Sequence, residues 1–331
     1  MIPCKMSIVV ESFPLVEPFV ISRGARTEAI VVKVELSDQA GKAVGRGECT
    51  PYPRYGESVE SVIAQIEIMR GPVEAGLTRS ELVKQMPSGA ARNAIDCALW
   101  DLEAKHSGVR ANVAAGISEW ATTTTAFTIS LGTPEVMASA ARAAERPLLK
   151  IKLGGADGKD VERAKAVRSA APKATLIADA NEAWTEADIE GNLAACAEAG
   201  FAMIEQPLPA KADGYLAKIG RPVPICADES VHDRATLSRL VGLYDLINIK
   251  LDKTGGLTEA LAVAAEAEHL GLDIMVGCML GSSLAMAPGM ILAGRARFVD
   301  LDAPLLLASD REFPLRYENS TVFPPSPELW G

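Results

Sequence analysis

The stretch LLKIKL, residues 148–153, decides how this chain folds. Its apolar residues are those of a buried strand, yet Lys150 and Lys152 lie two apart and so point to one face. A buried strand carries two ammonium groups on one side only where that side has a use for them. Similar runs recur downstream: ATLIADAN (174–181), FAMIEQP (201–207), VPICADES (223–230), LINIKL (246–251), LDIMVGCM (272–279) and RFVDLDAP (297–304), with TTTTAFTISL (122–131) upstream. Between them lie helix-period segments such as TPEVMASAARAAE (133–145) and LTEALAVAAEAEHLG (257–271). Thr133 ahead of Pro134 predicts a helix start, and Gly200 and Gly271 predict helix stops. The strand-end residues Lys152, Asp179, Glu205, Asp228, Lys250 and Cys278 are separated by 27, 26, 23, 22 and 28 residues, one β/α unit each time. Eight such strands predict a closed parallel barrel. The rival, an open doubly wound sheet, would not place functional side chains at the ends of so many successive strands.

Outward from this core, residues 1–115 read differently. MSIVVESF (6–13), AIVVKVEL (29–36) and AVGRGECT (43–50) predict an antiparallel sheet, and SVESVIAQIEIM (58–69) and GAARNAIDCALWDLEAKHSG (89–108) predict helices. They make an α+β capping domain over the barrel mouth. The barrel takes residues 116–305, and a proline-bearing tail, 306–331, returns to pack on the cap. A chain of 331 residues is long enough for one large and one smaller domain. Its 43 acids against 33 bases give a net charge of −10, which argues against nucleic acid as a partner. No apolar run approaches the roughly 20 residues of a membrane helix. The start, MIPCKMSIVVESF (1–13), lacks the basic head, apolar block and cleavage site of a signal peptide. Six cysteines without a C-x-x-C pair fit reduced thiols, so a cytoplasmic protein is expected. His106, His232 and His269 end no apolar strand, which leaves little for a histidine zinc site or a Ser-His-Asp triad. Exposed barrel helices often support symmetric assembly, so a homo-oligomer is compatible with this plan.

Asp179, Glu205 and Asp228 end three consecutive strands. Like charges brought that close repel unless a cation neutralises them. Oxygen ligands without His or Cys favour a hard ion, Mg²⁺ first and Mn²⁺ second. Lys152 ends the second strand and Lys250 the sixth, opposite one another in an eight-stranded ring with the carboxylates between. Two opposed amines beside a divalent ion suit 1,1-proton transfer. The metal stabilises the enediolate of a bound carboxylic acid, one lysine removes the α-proton, and the other returns a proton to the opposite face. Lys150 would hold the substrate carboxylate or tune Lys152.

The same residues carry a family resemblance. KIK (150–152), DAN (179–181), EQP (205–207), ADES (227–230) and NIKLDKTGG (248–256) resemble the muconate-lactonising subgroup of the enolase superfamily, whose Lys or His base and Mg²⁺ chemistry is already known. The resemblance spans nearly the whole chain and implies a (β/α)7β TIM-like barrel beneath an α+β cap. DLDAP (300–304) makes the chain look most like the dipeptide epimerases, in which a D-x-D here binds the free α-ammonium of the substrate. Asp300 and Asp302 are therefore expected to bind substrate, and two carboxylates on one strand face do form a cation site. The implied activity is Mg²⁺-dependent interconversion of L-Ala-D-Glu and L-Ala-L-Glu in murein peptide recycling. FVISRGARTEA (19–29) places Arg23 and Arg26 in a loop where an arginine could pair with a Glu side chain, and the resemblance favours Arg23. TPYPRYGES (50–58) offers Tyr52, Arg54 and Tyr55 in a second loop, and GCMLGSS (277–283) puts Cys278 and Met279 along the pocket. Epimerases of other dipeptides, N-acylamino acid racemases, muconate cycloisomerases and o-succinylbenzoate synthases share the lysines and metal. The last three act on substrates without an α-ammonium for the D-x-D. A Schiff-base lyase and a non-catalytic binding barrel are the readings from other classes.

Overall fold

The computed structural model describes residues 2–331. The chain opens with two long antiparallel strands, β1 (Cys4–Ile21) and β2 (Gly24–Asp38), and a shorter β3 (Val44–Cys49) pairs with β2. β1 and β2 run well past the apolar stretches that predicted them. Pairing resumes after an irregularity between Pro14 and Phe19 and continues to Ile21↔Gly24. What read as a loop is thus a hairpin tip: Arg23 sits in its two-residue turn and Arg26 lies on β2, opposite Phe19.

The helix Ala90–Ser107 packs on β3, and two glycines make that contact possible. A Cβ on Gly45 or Gly47 would stand 2.2 Å from Ala98 O or 2.1 Å from Ala94 O, so only glycine lets helix and strand approach this closely. Val32, Val34, Leu36, Ala94, Ile95 and Leu102 lie in the core that this packing closes.

After β4 (Thr123–Thr124) come eight parallel strands: β5 (Phe127–Ile129), β6 (Leu148–Lys152), β7 (Thr175–Asp179), β8 (Phe201–Glu205), β9 (Ile225–Ala227), β10 (Leu246–Ile249), β11 (Asp273–Val276) and β12 (Phe298–Val299). They pair in sequence order, and the ring closes where Thr125 bridges Val299 and Ala126 N donates to Val299 O at 2.7 Å. The fold is the expected (β/α)7β barrel with a separate cap. Thr133 caps the helix Pro134–Ala144 by accepting from Val136 N, and Gly200 and Gly271 take left-handed φ of 70° and 74° just past helix ends. Two connections are less helical than the β/α period predicts. After β8 there is only a 3-10 turn, Asp213–Lys218, and after β9 a four-residue helix, Arg234–Leu237. The intervals of 23 and 22 residues leave little room for more, and Pro207, Pro209 and Pro222 further interrupt the first of them.

Inside the ring, Ala126, Leu148, Ile177, Met203, Cys226, Leu246, Met275 and Phe298 make an apolar floor. Two residues further along these strands the inward positions turn polar: Thr128, Lys150, Asp179, Glu205, Asp228, Asn248 and Asp300. The tail pairs β13 (Tyr317–Glu318) with β14 (Thr321–Val322) and β14 with β4, and then runs under the cap. There Trp330 Nε1 donates to Cys97 O at 3.0 Å and Gly331 N to Asp101 Oδ1 at 2.7 Å. Among the described residues no helix is long and apolar enough to cross a membrane.

Candidate active site

Lys150 and Lys152 both face the barrel interior above Leu148. Lys150 Nζ lies 2.6 Å from Glu205 Oε2, 2.7 Å from Asp300 Oδ2 and 3.5 Å from Asp179 Oδ2. Lys152 Nζ sits 2.6 Å from Asp179 Oδ2 and under the Phe19 ring of the hairpin, 5.7 Å from its centroid. Across the ring, Lys250 Nζ lies 2.7 Å from Asp228 Oδ2. Asp179, Glu205 and Asp228 are fully enclosed, and one oxygen from each falls within 4.8 Å of the others. Three clustered carboxylates without nitrogen or sulfur fit a hard divalent cation.

The electrostatics follow from burial set against these pairings. Burial favours the neutral acid at Asp179, but Lys152 and Lys150 outweigh it and hold the group down at about 2. At Asp228 burial is overcome by Lys250 and by Lys253, and the group falls well below the ordinary carboxylate range. Glu205 moves the other way, raised by burial and then by Asp179. Burial disfavours the Lys250 ammonium, yet Asp228 and Glu205 prevail and raise its pKa.

Four residues that the sequence reading passed over orient the carboxylates. Asn181 donates to both Asp179 oxygens, N to Oδ1 at 2.9 Å and Nδ2 to Oδ2 at 3.0 Å. Asn248 Nδ2 donates to Glu205 Oε1 at 2.6 Å. Gln206 Oε1 accepts from Asp228 N at 2.9 Å. Lys253 is buried and donates to Asp228 Oδ1 and O, both at 2.6 Å. The available signal was proximity, because each lies inside a quoted motif within two residues of an acid or base.

Asp300 and Asp302 follow β12 into the same chamber. Asp300 Oδ2 holds Lys150, while its buried Oδ1 has no hydrogen-bond partner among the described residues. Asp302 Oδ2 accepts from Thr128 N at 2.6 Å. Burial and then the Asp300 charge push Asp302 up to about 7. The same burial, with both aspartates nearby, pushes the Cys278 thiol well up, so it is no thiolate nucleophile.

Above this chamber a cavity of about 470 Å³ opens to the cap. Arg23, Arg26, Cys278 and Met279 all line it, as do Tyr52 and Tyr55 of the second capping loop. The two arginines differ. Arg23 is engaged by protein: Nη2 lies 2.8 Å from Glu229 Oε1, and Nη1 donates to Asn181 O at 2.9 Å. Arg26 lies over the Tyr52 ring, 5.3 Å from its centroid, and has no carboxylate partner among the described residues.

An α+β cap over a (β/α)7β barrel, with carboxylates ending three adjacent strands and lysines on either side, defines an enolase-type fold and site. Residues 135–325 match the enolase C-terminal domain-like family, and residues 4–112 match the N-terminal domain of mandelate racemase / muconate lactonizing enzyme. The chain belongs to the mandelate racemase / muconate lactonizing enzyme family of the enolase superfamily. It is 50% identical to the L-Ala-D/L-Glu epimerase of Escherichia coli (strain K12), over 93% of this chain and 95% of that protein. It is 45% identical to the N-acetyl-D-glutamate racemase of Pseudoalteromonas sp, over 87% and 91%. Among solved structures, an enolase family member from Agrobacterium tumefaciens with homology to dipeptide epimerases, bound to sodium and L-Ala-L-Glu, superposes with a TM-score of 0.97. Its identity is 56%, over 99% of this chain and all of that one.

Proposed function

We propose that this protein is a divalent-cation-dependent dipeptide epimerase that interconverts L-Ala-D-Glu and L-Ala-L-Glu, in the cytoplasmic recycling of murein peptides. The observation that carries the reading is Asp300 beside Asp302 in the chamber that holds the two opposed lysines, with Asp300 Oδ1 buried and unpartnered. It is supported by 50% identity to an L-Ala-D/L-Glu epimerase.

Asp179, Glu205 and Asp228 would hold the cation, Mg²⁺ or Mn²⁺. When bound, it would stabilise the negative charge that develops on the substrate carboxylate. Lys152 and Lys250 stand on opposite sides of the chamber. One, as the free amine, takes the α-proton from its face; the other, as the ammonium, returns a proton to the opposite face, so the net change is inversion alone. Lys150 adds a buried positive charge toward the carboxylate. Asp300 and Asp302 pair with the α-ammonium of the alanine. Arg26, rather than Arg23, takes the γ-carboxylate of the glutamate, because Arg23 is already paired with Glu229.

The test is proton NMR of L-Ala-D-Glu and L-Ala-L-Glu with protein and Mg²⁺ in D₂O. Loss of the Glu α-proton signal with growth of the other diastereomer supports the assignment. No exchange with metal-loaded protein refutes it. A second reading, racemisation of N-acetylglutamate, draws on the 45% identical relative and on Asp302, whose pKa near 7 lets it be neutral beside an acyl group that has no ammonium. Exchange of N-acetyl-D-glutamate in place of the dipeptides would favour it.

A further inference from the structure

We propose that Glu182 is a positioning residue that bolts both capping loops over the barrel mouth and thereby sets how tightly the site holds its substrate. The inference rests on the mouth being the substrate entrance, as read above. Glu182 follows Asp179 by three residues and has a side chain 10% exposed. Arg54, from the second capping loop, grips it with a parallel fork, Nε to Oε2 and Nη2 to Oε1, both at 2.7 Å. Ala210 N donates to Oε1 at 2.9 Å, and Arg23 Nη1, from the hairpin tip, lies 3.5 Å from Oε2. One carboxylate therefore ties two separate cap segments to the barrel.

The backbone under it joins the cap to the candidate metal ligands. Asn181 and Glu182 both take left-handed φ, 47° and 65°, which side-chain-bearing residues seldom adopt in succession. Two sets of bonds hold that conformation. Asn181 is tied to Asp179, and Glu182 N donates to Gln206 O at 2.9 Å. On the outer side, Asn181 O accepts from Arg23 Nη1 at 2.9 Å and from Ser22 Oγ at 3.2 Å. The loops are also linked to each other, since Arg23 Nη2 donates to Tyr52 OH at 3.1 Å. Releasing Glu182 would free Tyr52, Tyr55 and Arg26, which line the cavity, while leaving the lysines and triad in place. The Arg54 side chain is 37% exposed, so its ion pair contributes little to global stability. Its effect is on local loop opening.

The experiment compares wild type with Glu182→Gln and with Arg54→Gln, the second changing only an exposed side chain, as full-length Mg²⁺-loaded protein. Hydrogen exchange is followed without substrate, and KM and kcat are measured with L-Ala-L-Glu. The expected result is roughly tenfold faster exchange confined to residues 22–26 and 50–57, KM raised roughly tenfold, and kcat within about threefold. Unchanged exchange and KM in both variants would overturn the proposal. So would loss of kcat and Mg²⁺ binding with loop exchange unaltered, which would place Glu182 in the metal site. Exchange needs no substrate, so it tests the latch even if L-Ala-L-Glu is not turned over; that failure would count against the substrate assignment instead.

Discussion

At the scale of single residues, the proposed function assigns the chemistry to two lysines and its pH range to one aspartate. Lys152→Ala and Lys250→Ala should each lower epimerisation by about 10³-fold or more, as expected on removing a positioned base. Each variant should still exchange the α-proton of one diastereomer, and not the same one. NMR in D₂O reads this directly, and equal exchange of both diastereomers by either variant would contradict the two-face arrangement. Under that proposal Asp302 should set the pH range, because burial and Asp300 raise it to about 7. Thr128 N, the Lys150 ammonium and the Arg146 charge also face it, and they favour its ionised form or are favoured by it. Only the carboxylate attracts an ammonium. KM for a dipeptide should therefore fall as pH rises through about 7, by up to about tenfold per unit on the acid side. Asp302→Asn should raise KM and remove that inflection while Mg²⁺ still binds. A flat wild-type profile between pH 6 and 8 would show that Asp302 does not hold the ammonium.

At the scale of elements, the seam between the helix Ala90–Ser107 and the barrel has its own titration. Asp252, just after β10, is buried there and accepts from Asn93 Nδ2 at 2.8 Å and Thr50 N at 3.1 Å. Burial raises it to about 7. With a folded pKa above the unfolded value near 3.9, the native state binds the extra proton, so stability from this group is greatest in acid and is lost as pH rises from about 4 to about 7. Asp252→Asn keeps the accepting oxygen and removes the charge. It should be more stable than wild type at pH 8, by of order 1–2 kcal/mol, with the gain vanishing near pH 4. Thermal melts at the two pH values measure this, and a variant less stable at pH 8 would contradict it. Elements also show where sequence was informative. The runs at β6 to β11 were legible because strands buried on both faces read as unbroken apolar stretches with polar ends. The hairpin tip was not, because Arg23, Gly24, Arg26 and Glu28 give no alternation, although the tip continues the pairing of the strands beneath it. Asn181, Gln206, Asn248 and Lys253 were passed over for another reason. They bind the acids rather than a substrate, and no strand period marks such residues.

At the scale of the molecule, the barrel brings buried charge from six strands into one chamber, and the balance of that charge predicts how the protein responds to metal removal. Each candidate ligand already has an ammonium against it: Asp179 has Lys152, Glu205 has Lys150, and Asp228 has both Lys250 and Lys253. An isolated buried carboxylate would be strongly unfavourable, but paired ones are tolerated. Chelation should therefore abolish turnover while leaving the far-ultraviolet circular dichroism unchanged, and adding Mg²⁺ should restore turnover and raise the melting temperature by mass action. Lys253 tests the same balance from behind. It touches Asp228 and the Asn248 carbonyl, and its Nζ is satisfied by those contacts, so its place is to aim the carboxylate. Lys253→Met should weaken Mg²⁺ about 10- to 100-fold, the usual effect of losing a group that orients a ligand, with activity recovering at high Mg²⁺. Full turnover after exhaustive chelation would remove the cation from the mechanism. Wild-type Mg²⁺ affinity in Lys253→Met would mean that Asp228 is held by Gln206 and Lys250 alone.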